Sequence, residues 1–142
     1  MSKKALDLSL GLNNEENLLD TFRLYFNEPL LKKTNQYSMS DYSSSDTHIE
    51  LKTRRCQYNT YPTTIIGYNK CKYYSKLNKL NIRCFFIFHF LQDNTIYYIQ
   101  YDDELFKMFQ KQDNSIIRDY KIEYKENIHI PITYLTKISQ SI

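Results

Sequence analysis

The sequence predicts a single α/β (α+β) domain whose elements follow the order α-β-β-α-β-β-α-β. Three observations support this fold class: an early segment with helical spacing, a following segment with period-two alternation, and a long apolar run typical of a buried strand. The length of 142 residues matches the prior of about 150 residues per domain. Because neither an internal repeat nor a long linker divides the chain, we expect one domain over residues 1–142.

The first helix is predicted to begin after Asn13 and Asn14, since either asparagine can cap it. Apolar residues then recur every three to four positions, at Leu18, Leu19, Phe22, Tyr25 and Phe26. Glu15 shares the inward face of these residues, whereas Glu16 points more to the side. Both carboxylates also suit the positive end of the helix dipole, so Glu15 can be either a site residue or a plain N-terminal carboxylate.

A β-hairpin follows, because polar residues at Ser43–Asp46 interrupt an alternating segment. A turn at Ser45 and Asp46 sets Asp41 directly opposite Glu50, and paired residues of an antiparallel ladder point to the same face. Lys52, two residues beyond Glu50, shares that face. Ile49 and Leu51 point to the opposite face, where a helix can cover them.

The rest of the chain alternates between helical and strand patterns. A second helix is predicted to start near Tyr61-Pro62-Thr63-Thr64, with proline in its first turn, and to run to about Leu80. The apolar run Cys84–Leu91 predicts a strand buried on both faces. Further predicted elements are a turn at Asp93-Asn94, a strand at Thr95–Tyr101, a short helix opened by Asp102-Asp103-Glu104, and a strand-like tail in which Pro131 indicates an edge.

Composition excludes several classes of protein. The formal charge of +3 and the 42% of hydrophobic residues are typical of an ordinary globular chain. Two glycines argue against glycine-rich phosphate loops, and three cysteines without a CxxC spacing argue against a disulfide framework or a zinc site. The chain begins without the apolar stretch of a signal peptide, and its longest apolar run is too short to cross a bilayer. We therefore expect a soluble intracellular protein in a reducing compartment.

The predicted hairpin contains the candidate metal-binding and catalytic residues. Adjacent carboxylates repel each other, so a fold needs a reason to hold Asp41 beside Glu50, and a hard divalent cation such as Mg²⁺ (or Mn²⁺ as a substitute) is one. Lys52 beside that metal can orient or deprotonate the attacking water and offset charge on the phosphoryl oxygens. An inward Glu15 could complete the ligand set, with Glu16 as its substitute if the helix register is shifted by one.

This arrangement resembles the PD-(D/E)XK nuclease superfamily. The resemblance comprises Glu15, Asp41, the Glu50-Leu51-Lys52 triplet and the α-β-β order that leads into a helix and a further strand. The resemblance covers about residues 13–101 and leaves 102–142 as a strand-rich extension. Within the superfamily, the chain is similar to small nucleases of large DNA viruses. Ser40 stands where a proline would give the motif its first letter, a departure that many members share. The resemblance implies a restriction-endonuclease-like core with a central mixed sheet flanked by helices, and metal-dependent phosphodiester cleavage.

Basic residues after the triplet are candidates for contacts with DNA. Arg54, Arg55 and Lys70 can contact phosphates without reading bases, or can be ordinary surface charges. Lys70 lies on an apolar helical stripe, so it either extends outward to solvent or reaches into the site. Tyr61, Thr63 and Thr64 can hold a phosphate at a helix N-terminus or simply cap that helix. His48 is expected at the surface and His89 in the core.

The leading hypothesis is a Mg²⁺-dependent endonuclease acting on duplex or branched DNA. The alternative is a catalytically inactive module of the same fold that binds nucleic acid or another partner. Because cutting two strands needs two sites or one that acts twice, we expect a homodimer, with the apolar segment Tyr120–Ile138 as its interface.

Overall fold

The computed structural model describes residues 18–35, 37–118 and 120–138, with only the backbone at 114–118 and 121–124. Helix α1 covers residues 18–25 of this part. The other elements are β1 (Lys32–Lys33), β2 (Tyr42–Ser43), β3 (Thr47–Arg54), β4 (Thr63–Gly67), α2 (Tyr68–Asn78), β5 (Arg83–Phe90), β6 (Thr95–Gln100), α3 (Asp103–Phe106), β7 (Gln110–Arg118), β8 (Lys121–Pro131), a 3₁₀ turn (Ile132–Tyr134) and β9 (Thr136–Lys137).

A mixed central sheet organises the fold. Its six strands follow the order β1-β2-β3-β5-β6-β9. β3 and β5 run parallel, while the other neighbouring pairs are antiparallel. The parallel pair requires a crossover, which β4 and α2 supply. The predicted α+β class with a central mixed sheet is therefore confirmed.

Both faces of the central sheet are buried. On one face, Leu18 and Phe22 of α1 pack in one apolar cluster with Ile49 and Leu51, as the alternation in the hairpin predicted. On the other face, Tyr74 of α2 belongs to a second cluster that contains Phe86 and Phe88. β5 is buried along its whole length after Arg83, which confirms the strand predicted from the apolar run.

The hairpin has the predicted register. Tyr42 pairs with Ile49, and Ser43 pairs with His48. The ladder ends there, because the backbone N–H of Asp41 donates to the carbonyl of Ile49 rather than continuing the pairing to Glu50. Asp41 is therefore displaced by one position from the ladder geometry that the sequence predicted.

The predicted second helix begins too early. Thr63–Gly67 forms strand β4, and α2 starts only at Tyr68. The four residues before Gly67 are β-branched, and burial alternates along them, with Thr64 and Ile66 buried and Ile65 exposed. Tyr61, Thr63 and Thr64 consequently lie before and within a strand rather than at a helix N-terminus. None of the helices in residues 18–138 that the structure describes is long and apolar enough to span a membrane.

A second sheet of three strands, β4-β8-β7, forms beside α2. Strand β7 was not predicted, because its sequence is polar and lacks a clear alternation. Pro131 ends β8 and pairs with Thr63 of β4. The pairing of β8 with β7 stops before it, at His129, so among the described strands Pro131 has a neighbour on one side only.

The C-terminal segment belongs to the cores. Ile128, Ile130 and Leu135 are buried in the cluster beneath α2, and Ile138 is buried in the cluster beneath α1. The segment Tyr120–Ile138, which was expected to form a subunit interface, therefore contributes side chains to both apolar clusters. The short helix is as predicted, with the Asp102 side chain accepting a hydrogen bond from the Leu105 backbone N–H at 2.9 Å.

Candidate active site

Glu50 is a buried carboxylate in the middle of β3. Only 3% of its surface is exposed, although its neighbours in sequence occupy the apolar face of the sheet. Strand alternation turns the Glu50 side chain to the other face, toward α2. One carboxylate oxygen, Oε1, lies 3.1 Å from Lys52 Nζ, and the other, Oε2, lies 3.6 Å from Lys70 Nζ. A carboxylate and two ammonium groups therefore meet beneath α2.

Burial raises the pKa of Glu50 to about 7, and the nearby Asp41 carboxylate adds to this effect. The charges of Lys52 and Lys70 act in the opposite direction and offset part of it. Glu50 Oε2 is buried and has no hydrogen-bond partner. Because buried polar atoms are almost always satisfied, this oxygen is available to a ligand.

Asp41 lies at the mouth of the hairpin, half-buried beside Glu50. Its Oδ2 accepts a hydrogen bond of 2.7 Å from the backbone N–H of Leu51. This bond ties the Asp41 carboxylate to β3 although the ladder has already ended. The predicted proximity of Asp41 and Glu50 is thus present, but a side-chain contact rather than direct strand pairing produces it.

Lys52 and Lys70 approach the carboxylates from different elements. Lys52 follows Glu50 on the same face of β3, as predicted, and about a third of its side chain is exposed. Lys70, in the first turn of α2, reaches into the site, which resolves the choice that the sequence left open. Its Nζ donates a 2.7 Å hydrogen bond to the carbonyl of Met39. Lys70 thereby connects α2, residues 39–41 (the Asp41 segment) and Glu50.

A buried hydrogen-bond network supports the Asp41 segment, and the sequence did not reveal it. Ser40 Oγ lies 2.9 Å from His48 Nδ1 and 3.3 Å from the hydroxyl of Tyr74. Ser40 and Tyr74 are almost fully buried, and burial raises the pKa of Tyr74 well above its usual value. His48, expected at the surface, is half-buried, and burial lowers its pKa. One signal was available: Tyr74 follows Lys70 by four positions and so shares its helix face.

The other predicted residues lie at the rim of the site or outside the described chain. Arg54 ends β3, and its guanidinium donates a 2.6 Å hydrogen bond to the carbonyl of Ile65 in β4. Arg55 follows and is exposed. Glu15 and Glu16 fall outside the described residues. His89 is buried with Nε2 2.9 Å from Asn94 Oδ1, which confirms its predicted place in the core.

A metal ion would have the two carboxylates as its ligands. Within the ranges that the structure describes, no group of three His, Cys, Asp or Glu side chains comes together. Asp41 and Glu50 are oxygen donors, which Mg²⁺ prefers, and it usually takes only one or two protein carboxylates. Oε2 of Glu50, which has no hydrogen-bond partner, also fits such an ion. The donor set is therefore compatible with Mg²⁺ that keeps water or phosphate oxygens in its other positions.

A cleft of about 1240 Å³ opens from Lys52 and Lys70. It runs past the carboxyl ends of β3 and β5 to the second sheet, with the chain between β3 and β4 as one wall. In α/β sheets, ligands commonly bind beyond the carboxyl ends of the strands. The cleft thus extends directly from the cluster of charged residues.

Comparisons with known proteins support a nuclease-like fold. No protein-family model and no curated protein matches the sequence. Among solved structures, the chain is similar to D212, a nuclease from a fusselovirus. The two are 16% identical, with a TM-score of 0.51, and the match covers 96% of this chain and 88% of D212. At this identity, the similarity shows a shared fold.

Proposed function

We propose that the chain is a metal-dependent DNA endonuclease of the PD-(D/E)XK superfamily. The single observation that carries the proposal is the buried Glu50, whose Oε2 has no hydrogen-bond partner and whose carboxylate lies beside Asp41 and Lys52. Burying such a carboxylate without a full set of partners is costly, and functional sites are where proteins retain such groups. The fold shared with a viral nuclease agrees with this function.

Asp41 and Glu50 are the proposed metal ligands, and Glu15 is proposed as a third. Mg²⁺, or Mn²⁺ in its place, would supply positive charge to the phosphoryl oxygens and the acidity needed to generate hydroxide. Glu50 must be ionised to bind the ion, and its pKa of about 7 permits this at neutral pH. The hydrogen bond from the backbone N–H of Leu51 holds the Asp41 carboxylate beside Glu50, where the proposed ion would bind.

Lys52 is the proposed catalytic lysine. Its ammonium group lies 3.1 Å from Glu50, and its partial exposure leaves it accessible to water and substrate. From there it can orient the attacking water and stabilise negative charge on the scissile phosphate. Lys70 is less exposed and donates to Met39, which suits a role in holding the Asp41 segment as well as in contacting phosphate.

Contacts with the DNA backbone are proposed for Arg54, Arg55 and Lys70. Arg54 and Lys70 line the cleft, and the exposed Arg55 follows Arg54 in the chain. Phosphate contacts position a substrate without reading its sequence. Arg54 also holds the carbonyl of Ile65, so its removal would disturb β4 as well as the contact with DNA.

Substitution of the site residues tests the proposal. We expect purified protein to cleave DNA with Mg²⁺ or Mn²⁺ and to stop when a chelator is added. Asp41→Ala and Lys52→Ala should each lower the cleavage rate roughly 100-fold or more, because the first removes a proposed metal ligand and the second removes the group proposed to orient the attacking water. Cleavage is measured by gel assay, and circular dichroism checks that the variants fold.

Lys107→Ala is the matched control. Lys107 is exposed, follows α3 directly and pairs with Glu104 of that helix at 3.1 Å, as Lys52 pairs with Glu50 in β3. This variant should cleave at the wild-type rate. If Asp41→Ala and Lys52→Ala do so too, the assignment is wrong.

A non-catalytic nucleic-acid-binding module is the second candidate, because two lysines already offset the charge of Glu50. Titration calorimetry with Mn²⁺ separates the two functions. An enzyme binds the ion through Asp41 and Glu50 and loses this binding in Glu50→Gln. A module binds DNA without taking up metal and without cleavage.

A further inference from the structure

The cleft beside the site carries more positive than negative charge. Its basic lining residues are Lys52, Arg54, Lys70, Lys72 and Lys125. Its acidic ones are Asp113 and Glu126, and Lys111 lies 3.3 Å from Glu126 and offsets its charge. Such a lining favours a polyanion that passes through the cleft.

Three tyrosines line the same cleft, and two of them already have partners. Tyr58 stacks on Tyr97 with 3.9 Å between ring centroids and donates its hydroxyl hydrogen to the carbonyl of Ile132. The ring of Tyr68 has Lys72 Nζ at 5.2 Å and Lys111 Nζ at 4.3 Å from its centroid. These contacts fix both rings as walls of the cleft.

Tyr61 differs from both. It is 62% exposed, and it stands in the chain between β3 and β4, where Pro62 follows it. Within the described ranges, its ring has no aromatic or cationic neighbour at stacking distance. An exposed aromatic ring in a basic cleft is the arrangement that proteins use to stack an unpaired base.

We propose that the cleft binds an unpaired DNA strand next to the scissile phosphate, with one base stacked on Tyr61. This inference rests on the proposed nuclease function and specifies its substrate class. In a duplex the faces of the bases are stacked on one another, and only their edges are accessible in the grooves. Tyr61 can therefore stack on a base only where the strand is unpaired, as in a flap, a fork or a single-stranded end. Because every base has a π-face, we expect little sequence preference.

Binding in the absence of divalent metal tests the inference. Fluorescence anisotropy with labelled oligonucleotides compares a single strand, a blunt duplex of the same sequence, and the duplex with a single-stranded flap. We expect the single strand and the flap to bind more tightly than the blunt duplex. Tyr61→Ala should weaken their binding about five- to 150-fold, which corresponds to the loss of one stacked base. Tyr61→Phe should restore it, because phenylalanine retains the ring.

Two further variants complete the design. Tyr120→Ala removes a tyrosine that is also exposed but does not line the cleft, so it should leave binding unchanged. Lys125→Ala should reduce the slope of log K against log salt for the single strand by about 0.7, the value for one phosphate contact. Equal binding of blunt duplex and single strand, or equal effects of Tyr61→Ala and Tyr120→Ala, would overturn the inference. The assay needs no cleavage, so it remains informative if the protein lacks nuclease activity, and that outcome contradicts the proposed function alone.

Discussion

Glu50 is held where its charge is disfavoured, and the stability of the protein should therefore depend on pH. Its pKa rises from an ordinary value of 4.5 to about 7 in the fold. Between these two values the native state keeps a proton that the unfolded chain has released. The corresponding stability is fully present below pH 4.5 and is lost as the pH rises through 7. Above that pH, the metal-free protein retains a buried anion.

Glu50→Gln should remove this pH dependence, because glutamine remains neutral. The difference in free energy of unfolding, variant minus wild type, should therefore increase by about 3 kcal/mol between pH 4.5 and pH 8, since one pKa unit corresponds to about 1.4 kcal/mol. Urea denaturation without divalent metal measures the difference at each pH. Glu104→Gln, which removes a carboxylate that is 84% exposed, is the control. A Glu50→Gln difference that stays constant over this range contradicts the prediction.

At the residue scale, the sequence predicts which side chains share a face of a strand, because this depends only on alternation. Glu50 and Lys52 share a face because they are two residues apart in a strand. The contact of Asp41 with the Leu51 amide depends on where the ladder ends, and alternation does not specify that point. The contact of Ser40 with Tyr74 joins residues 34 positions apart, so it depends on how α2 packs on the sheet.

At the element scale, strand β4 was the main error. The local sequence favours a helix there, because Pro62 resembles a first-turn proline and the apolar spacing continues into α2. The β-branched run before Gly67 was the contrary signal. Pairing with β8, at least 60 residues later in the chain, stabilises the strand. A local pattern cannot reveal such a partner.

Adjacent isoleucines of β4 give a matched pair for testing its burial pattern. Ile66 is 1% exposed and belongs to the cluster beneath α2, whereas Ile65 is 38% exposed. Ile66→Ala should lower the free energy of unfolding by about 2–5 kcal/mol, because it leaves a cavity in the core. Ile65→Ala should cost roughly 0.5 kcal/mol or little more, as a surface substitution does. Chemical denaturation measures both, and equal losses would contradict this pattern.

At the scale of the whole molecule, the second sheet connects the core to the proposed substrate cleft. β8 contributes Ile128 and Ile130 to the core near its end, while its earlier residues form a hairpin with β7. The buried residues of Tyr120–Ile138 cannot form a subunit interface as well. Among the described strands, β7 pairs only with β8, so its other edge offers nine residues of backbone for pairing.

Two copies of the chain should associate through this edge. Antiparallel pairing of β7 with its copy around a two-fold axis would join two three-stranded sheets and place two sites in one particle. Light scattering should therefore give twice the chain mass of 17.2 kDa. A shortened hairpin, in which Asn-Gly replaces residues 113–126 between the paired Gln112 and Asn127, should give the monomer while keeping Ile128 and Ile130 in the core. A 17.2 kDa wild-type particle that nicks only one strand would contradict the dimer without affecting the assignment of Glu50 and Lys52.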